Sequence, residues 1–299
     1  APVAGITLED KLAVTRHLSA AGANIQQLNI VRKQLSRIKG GGLARACAAG
    51  RLIALIISDV LGDPLETIAS GPTVPDNSTP QQALEILEQY GARQAGVSDR
   101  VFRYLQRAVG QSDAPAGQTR CDVTNLVIGN IATAVAAAGQ EAQRRGYTTR
   151  TVALQQLEGA AEQVGRQLAA EAIRMRADGG RRCLVHGGEP TVKLVDSSRR
   201  GLGGRNQQLV LAAVEYLADQ CGDSARGLAL LSGGTDGEDG PTDAAGAVLD
   251  EAVLAGAAAQ QLAASDYLAR NDAYHFFQPL GALIQTGPTH TNVCDLRVV

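Results

Sequence analysis

Four stretches carry residues whose type and spacing can do chemistry, and in three of them the stretch directly follows an apolar run. Ser58-Asp59 follows residues 52–57 (LIALII). A carboxylate there can take a proton from a substrate hydroxyl or hold a magnesium ion; it can equally cap the turn at Gly62-Asp63-Pro64. Gly201-Leu202-Gly203-Gly204-Arg205-Asn206 opens a helical pattern. Its glycines let a ligand approach the backbone, a helix start favours an anion, and Arg205 adds a forked, charged donor. A guanidinium in a first helical turn opposes the macrodipole, so a bound phosphate or carboxylate is expected to compensate it. The run 232–243 (SGGTDGEDGPTD) follows an apolar stretch ending at Leu231. Its N–H groups can form an anion nest, and Asp236, Asp239 and Asp243 can gather a hard cation with phosphate oxygens. That spacing is not an EF-hand loop, and a chain of Asx turns is the structural alternative. The fourth stretch is Gly287-Pro288-Thr289-His290-Thr291-Asn292, a ligand loop or a plain turn.

Other polar residues read more simply. The basic run Arg32-Lys33 with Arg37-Ile38-Lys39 precedes three glycines, where cations complement a helix C-terminus. Within it, Lys39 at the glycine junction is the phosphate candidate. The downstream Ser70-Gly71-Pro72-Thr73 suits an anion or a rigid turn. His186 ends an apolar run and can act as an acid or base, but no GxSxG nucleophile accompanies it. GxxxxGK[ST], the protein-kinase signatures and a GxGxxG within a βαβ unit are all missing, which disfavours a nicotinamide enzyme of the usual Rossmann kind.

The elements that must position these loops alternate. Apolar runs near 52–57, 125–128, 148–154, 183–185, 191–195, 227–231 and 283–285 read as strands. Helical patterns read near 130–145, 158–176, 206–221 and 251–264. That alternation predicts an α/β protein with mostly parallel sheets and helices on both faces. Two seams suggest themselves, the Asp178-Gly179-Gly180 break and the polar, Gly-rich stretch 196–204; dividing at the first gives two domains, 1–178 and 179–299.

Composition excludes other classes. Lys and Arg number 28 against 30 Asp and Glu, a net charge of −2, which offers no basic excess for neutralising phosphates along a nucleic acid. Six Tyr, three Phe and no Trp make a poor base-stacking surface. The five cysteines are dispersed, without CxxC or Cys/His clusters, and read as thiols of a reducing cytoplasm. No apolar run approaches the roughly 20 residues that span a bilayer, so no membrane partner is expected. The chain begins Ala1-Pro2, so processing or truncation upstream is expected.

Taken in order, the motifs resemble the class II glycerate kinases with a C-terminal MOFRL domain. The resemblance rests on Asn29-Ile30-Val31-Arg32-Lys33, Ile38-Lys39-Gly40-Gly41, Ser58-Asp59-Val60 and Ala69-Ser70-Gly71-Pro72-Thr73. It continues through Gly187-Gly188-Glu189-Pro190-Thr191-Val192, Gly203-Gly204-Arg205-Asn206-Gln207 and Ser232-Gly233-Gly234-Thr235-Asp236-Gly237. Asp239-Gly240-Pro241-Thr242-Asp243 and Gly287-Pro288-Thr289 complete it. The family resemblance implies two layered α/β domains with an inter-domain cleft, 1–178 being the later part of a kinase domain and 179–299 the MOFRL domain. It implies ATP-dependent phosphorylation of D-glycerate to 2-phosphoglycerate, with magnesium. The functional Asp and Arg of the family fall on Asp59 and Arg205. Ser58, Lys39, Asn206, Glu189 and Thr191 are then the expected substrate contacts. Gly203, Gly204, Gly233, Gly234, Thr235, Gly237 and Thr289 would hold nucleotide, and Asp236, Asp239 and Asp243 the metal. His186 and His290 stand where the family more usually has a small residue. The family's N-terminal segment, with a glycine-lysine motif, lies upstream of the part this chain resembles. Two alternatives remain: an NAD(P)H-dependent hydroxypyruvate reductase, a label some relatives carry, and an inactive nucleotide- or sugar-acid-binding protein. The expected partners are glycerate and ATP; a homodimer is left open.

Overall fold

Several helix starts are written locally. Thr7 with Asp10 and Asn24 with Gln27 form reciprocal capping boxes that open α1 (Leu8–Ala20) and α2 (Ile25–Gln34). A short α3 (Gly42–Ala46) leads to β1 (Arg51–Ile57). A 3-10 turn at Ile68–Ser70 follows. Thr79 and Gln82 box the start of α4 (Pro80–Gln89), with Pro80 in the first turn, and Ser98 caps α5 (Asp99–Val109). β2 (Asp122–Gly129) pairs with β1 in a two-stranded sheet. The computed structural model describes residues 1–110, 121–221 and 225–299.

The remaining elements are α6 (Ile131–Arg144), β3 (Thr148–Ala153), α7 (Ala161–Ala177), β4 (Arg182–Gly188) and α8 (Arg205–Cys221). They are followed by β5 (Leu230–Gly234), β6 (Gly246–Leu249), α9 (Glu251–Ala259), α10 (Ala264–Leu268), α11 (Ala273–Phe277), β7 (Leu283–Ile284) and β8 (Asp295–Val298). No helix among the described residues is long and apolar enough to cross a membrane.

The chain divides into two units. Unit 1 comprises Ala1–Ile56 and Pro64–Leu126; unit 2 comprises Ile57–Asp63 and Val127–Val299. Two of the three dividing points thus fall inside β1 and β2, the third between Asp63 and Pro64, and the expected seam at 178/179 lies within unit 2. Its flanking strands β3 and β4 pair along their whole length, which ties both sides of that seam into one sheet. Unit 1 buries Val14, Leu18, Val31, Leu35, Leu87 and Phe102 from four helices in one core. The α4 and α5 helices of that core have no counterpart in the sequence expectations, whereas the helical pattern around His17 is realised as α1.

Unit 2 is built on a six-stranded sheet of order β3-β4-β8-β5-β6-β7. The α/β class agrees with the sequence reading, but the sheet is mixed. Only β3 and β4 are parallel neighbours; β8 runs antiparallel to both β4 and β5, and β6 antiparallel to β5 and β7. The cause is β8, the last strand, which inserts between β4 and β5 and separates two strands that run the same way. The expected strand at 191–195 reduces to one bridge, Ala160 to Thr191. The helix α8 is the spine of this unit. Residues Asn206 to Val214 are all buried, so both of its faces are covered, α7 packing on one of them. That packing is close: a Cβ on Gly165 of α7 would lie 2.0 Å from the Leu209 carbonyl oxygen.

Candidate active site

Helix α8 begins at Arg205, and its first turn is secured from a distance. Asp239, 2% exposed, accepts the backbone N–H of Asn206 at 3.0 Å and of Gln207 at 2.9 Å, plus the Asn206 amide at 3.2 Å. Asp239 therefore caps α8 in the place an incoming anion would take. Burial pushes its pKa up to about 6, against the pull of those backbone hydrogen bonds.

Arg205 leaves that turn and forks onto Asp295, Nε to Oδ2 at 2.6 Å and Nη2 to Oδ1 at 2.9 Å. Its Nη1 lies 3.4 Å from Glu189. Burial works against its charge, but Asp295, Glu189 and Asp239 outweigh that and hold the guanidinium more firmly protonated than usual. The compensating anion expected from sequence is thus supplied by the protein itself. Arg205 remains 36% exposed, and with Arg200, Gly203, Gly204, Asp236 and Glu238 it lines a cleft of about 460 Å³. That size suits a small-molecule ligand.

Behind the fork lies a buried charge chain. Asp295 and Arg297, both fully buried, stand two apart on β8 and so on one face. Arg297 reaches Glu158 at 2.7 Å and donates Nη1 to His186 Nδ1 at 3.0 Å, while its Nη2 lies 4.0 Å from Asp295. A guanidinium has no acceptor, so Nδ1 of His186 is the acceptor and its proton sits on Nε2. Burial, then Arg297 and Arg150, lower the His186 pKa to about 4. Arg297 Nε and Nη2 find no hydrogen-bond acceptor among the described residues. Room for this chain comes from glycine: a Cβ on Gly188 would lie 2.5 Å from Glu158 and 3.2 Å from Arg297.

Asp59 is exposed at the end of β1. Its carbonyl accepts the Cys294 thiol at 3.3 Å, and its carboxylate acts electrostatically on both Glu189 and Cys294. Burial raises the pKa of Glu189; Arg205 opposes this, and Asp295 and Asp59 add to it. Burial and the same three carboxylates push the Cys294 thiol up to about 12, so it stays protonated.

Asp59, Glu189 and Arg205 are therefore brought together, while other expected contacts are engaged in bonds within the protein. Ser58 is 1% exposed and locks its own turn, bonding the Val60 carbonyl at 3.1 Å. Asn206 is equally buried, accepting the Ser232 hydroxyl at 2.5 Å. Thr191 bonds the Gly159 carbonyl at 3.1 Å. The metal trio separates as well. Asp239 caps α8; Asp243 accepts Tyr274 and Gln285, each at 2.9 Å; Asp236 accepts the Glu238 amide at 3.1 Å and Asn292 at 3.3 Å. Among the described residues no three His, Cys, Asp or Glu side chains gather at metal-binding spacing, so these three aspartates form no preformed metal cluster.

The glycine-rich loops serve each other more than a ligand. A Cβ on Gly204 would lie 2.3 Å from the Asp239 carboxyl carbon; Gly237, at φ +87°, would place one 2.1 Å from the Gly287 carbonyl. The amides of Gly234 and Gly237 bond Ala245 and Gly234 carbonyls at 2.8 and 3.1 Å. Gly233 sits in the β5–β6 ladder opposite Gly246. Thr235 and Thr289 tie the loop to the segment that leads into β8: Thr235 Oγ1 bonds the Cys294 carbonyl at 2.7 Å, and Thr289 Oγ1 the Thr235 carbonyl at 2.6 Å. Of the glycines expected to hold nucleotide, Gly203 and Gly204 line the cleft. Lys39 belongs to unit 1, where its ammonium donates to the Ala69 carbonyl at 2.6 Å and the Ser70 hydroxyl at 3.3 Å.

Asp295, Arg297 and Glu158 were not among the sequence candidates. The signal that could have found two of them is the alternation of charged and apolar residues in 295–298 (DLRV): charge recurring at period two in a strand demands buried partners.

Comparison with known proteins places this geometry. Residues 1–106 match a domain of unknown function, DUF4147, and residues 182–295 match the MOFRL family. The whole chain is 40% identical to a glycerate kinase of Macaca fascicularis, spanning 84% of it, and to that of Homo sapiens, spanning 64%. It is 36% identical to the D-glycerate 2-kinase of Thermotoga maritima over 99% of this chain and 68% of that protein. The crystal structure of a Thermotoga maritima glycerate kinase superposes with a TM-score of 0.81, covering 99% of this chain and 68% of that one. The PH0495 protein of Pyrococcus horikoshii gives 0.76 at 33% identity, covering 100% of this chain and 67% of that one. On both sequence and fold, the chain belongs to the glycerate kinase family.

Proposed function

We propose that the protein transfers the γ-phosphoryl group of ATP to the 2-hydroxyl of D-glycerate, giving 2-phosphoglycerate and ADP. The observation that carries this reading is the meeting of an exposed carboxylate, Asp59, with a clamped but accessible guanidinium, Arg205, across Glu189. Phosphoryl transfer asks mainly for positioning and for charge placed where the transferring group develops it. Asp59 orients the glycerate hydroxyl and accepts its proton as the oxygen attacks phosphorus. Arg205 then faces the transferring phosphoryl, held in orientation by Asp295. The bond to the ADP oxygen breaks as the new one forms. The names of the relatives support glycerate and ATP as substrates. Magnesium, in kinases generally carried by the nucleotide phosphates, has no preformed trio here, and no step is assigned to it.

The test is an ADP-release assay on the protein in its full natural length, with magnesium ATP and D-glycerate, the product resolved by phosphorus NMR. Glycerate-dependent ADP release with a 2-phosphoglycerate resonance is expected. NADH oxidation by hydroxypyruvate without ADP release would overturn the reading in favour of a reductase. Binding of both ligands without turnover would leave a binding protein.

A further inference from the structure

Unit 1 carries a concentration of positive charge that its own carboxylates do not balance. Helix α2 presents Asn29 and Arg32 one turn apart, and Lys39 follows that helix at the glycine junction. Arg32 Nη1 donates to Asn29 Oδ1 at 3.3 Å, and the Ser70 hydroxyl donates to the same oxygen at 2.9 Å. Lys39 donates to that hydroxyl at 3.3 Å and to the Ala69 carbonyl at 2.6 Å. Asn29 and Ser70 are 7% and 1% exposed, so the frame beneath the cations is buried. Lys11, on α1, completes the group: with Arg32 it acts on Lys39, and burial plus these two charges lower the pKa of the Lys39 ammonium. Burial and Arg32 lower that of Lys11 in the same way.

The backbone around this frame is held in an uncommon form. Ala69 and Ser70 are non-glycine residues at φ +51° and +62°, followed by Gly71 at +60°. Non-glycine residues in this region are strained and persist where surrounding structure holds them. Here the Gly40 amide bonds the Ser70 carbonyl at 2.9 Å and the Gly41 amide the Gly71 carbonyl at 2.7 Å, which fixes Lys39 against the strained turn. The neighbouring Lys33 shows what a purely structural cation does in this unit: it pairs with Asp76 at 3.2 Å. Lys11, Arg32 and Lys39 have no carboxylate partner among the described residues. Like charges drawn together without a counter-charge cost free energy, a cost an oxyanion would offset through charge-assisted hydrogen bonds.

We infer that Lys39, Arg32 and Lys11, set around the Asn29–Ser70 pair, form an oxyanion site in unit 1. The ligand chemistry is a small carboxylate or phosphate group. The inference rests on the proposed reaction for its two natural sources, the carboxylate of the hydroxy acid and the phosphates of the nucleotide, and the experiment separates them.

Titration calorimetry with D-glycerate, glycerol and ATP, together with initial rates, is run on the wild type, Lys39→Met, Arg32→Gln, Lys39→Arg and Arg16→Ala. Arg16 is an exposed cation on α1 and serves as the control for general charge. Lys39→Met and Arg32→Gln are expected to weaken one of the two anionic ligands about ten- to a hundredfold, as loss of a charged hydrogen bond does. Lys39→Arg should recover part of the loss, Arg16→Ala should change nothing, and glycerol should not bind measurably to the wild type. A loss confined to D-glycerate assigns the site to the carboxylate; a loss confined to ATP assigns it to phosphate. Unchanged affinity for both ligands, or an equal loss in Arg16→Ala, overturns the inference. Wild-type protein that binds D-glycerate or ATP through these residues yet never releases ADP would overturn the proposed reaction and leave the site standing.

Discussion

Arg205 shows how much of a residue's role depends on what holds it. Its guanidinium is gripped by a fully buried carboxylate on one side and a half-buried one on the other, and still faces a cleft. Arg205→Ala is expected to lower kcat about a hundred- to a thousandfold, the usual cost of removing one preorganised charge donor, with a far smaller change in the KM for ATP. Steady-state rates check this. Asp295→Asn should act on both turnover and stability: it removes the fork and leaves Arg205 and Arg297 beside each other with less counter-charge. Breaking a buried pair typically costs about 3–5 kcal/mol, so urea unfolding should show a loss of that order. Arg205 could be singled out from sequence as an awkward charge at a helix start. Its partner could not, because Asp295 lies 90 residues further along the chain.

At the scale of elements, α8 carries the site, and its position is set by two close approaches. Asp239 seals its first turn against Gly204, and Gly165 of α7 meets its backbone at Leu209. Gly165→Ala would press a methyl group into a carbonyl oxygen that cannot retreat without moving α8. Overpacking of this kind costs about 1–3 kcal/mol, measurable as a lowered midpoint in urea, and should reduce kcat by displacing Arg205. The helix itself was legible, since 206–221 reads as one run. The strands were less so. β6 and β8 have four residues each, and two of the four in β8 are charged, a pattern that local propensity does not favour. They become strands because neighbours on the sheet bury them.

Across the whole molecule, stability should respond to acid through two groups whose pKa burial shifts, His186 and Asp239. His186 has an ordinary pKa near 6.5 in the unfolded chain and about 4 when folded. Between those values the unfolded chain binds the proton that the native one refuses. The contribution of His186 is therefore fully present above pH 6.5 and is lost as pH falls towards 4. Asp239 works in the opposite sense. Its folded pKa of about 6 lies above its unfolded value, so its contribution grows on acidification through that range. His186→Asn keeps an acceptor for Arg297 but does not titrate. Urea unfolding between pH 4 and 7 should show the variant losing less stability on acidification than the wild type, with linkage capping the difference at about 3 kcal/mol.

The sequence by itself determined the α/β class, the major helix α8, the carboxylate of Asp59 directly after β1 and the charged residue at the head of α8. These follow from periodicity and from residue types placed after apolar runs, which are local properties. Only the tertiary structure decided which partner each acid bonds. Asp239 became a helix cap, Asp243 a partner of Tyr274 and Gln285, and Asp295 the clamp on Arg205. The reason is the insertion of β8 between β4 and β5, which pairs the end of the chain with strands formed more than a hundred and roughly sixty residues earlier. A buried charge is stable only beside its counter-charge, and no spacing along the chain records where that counter-charge will be.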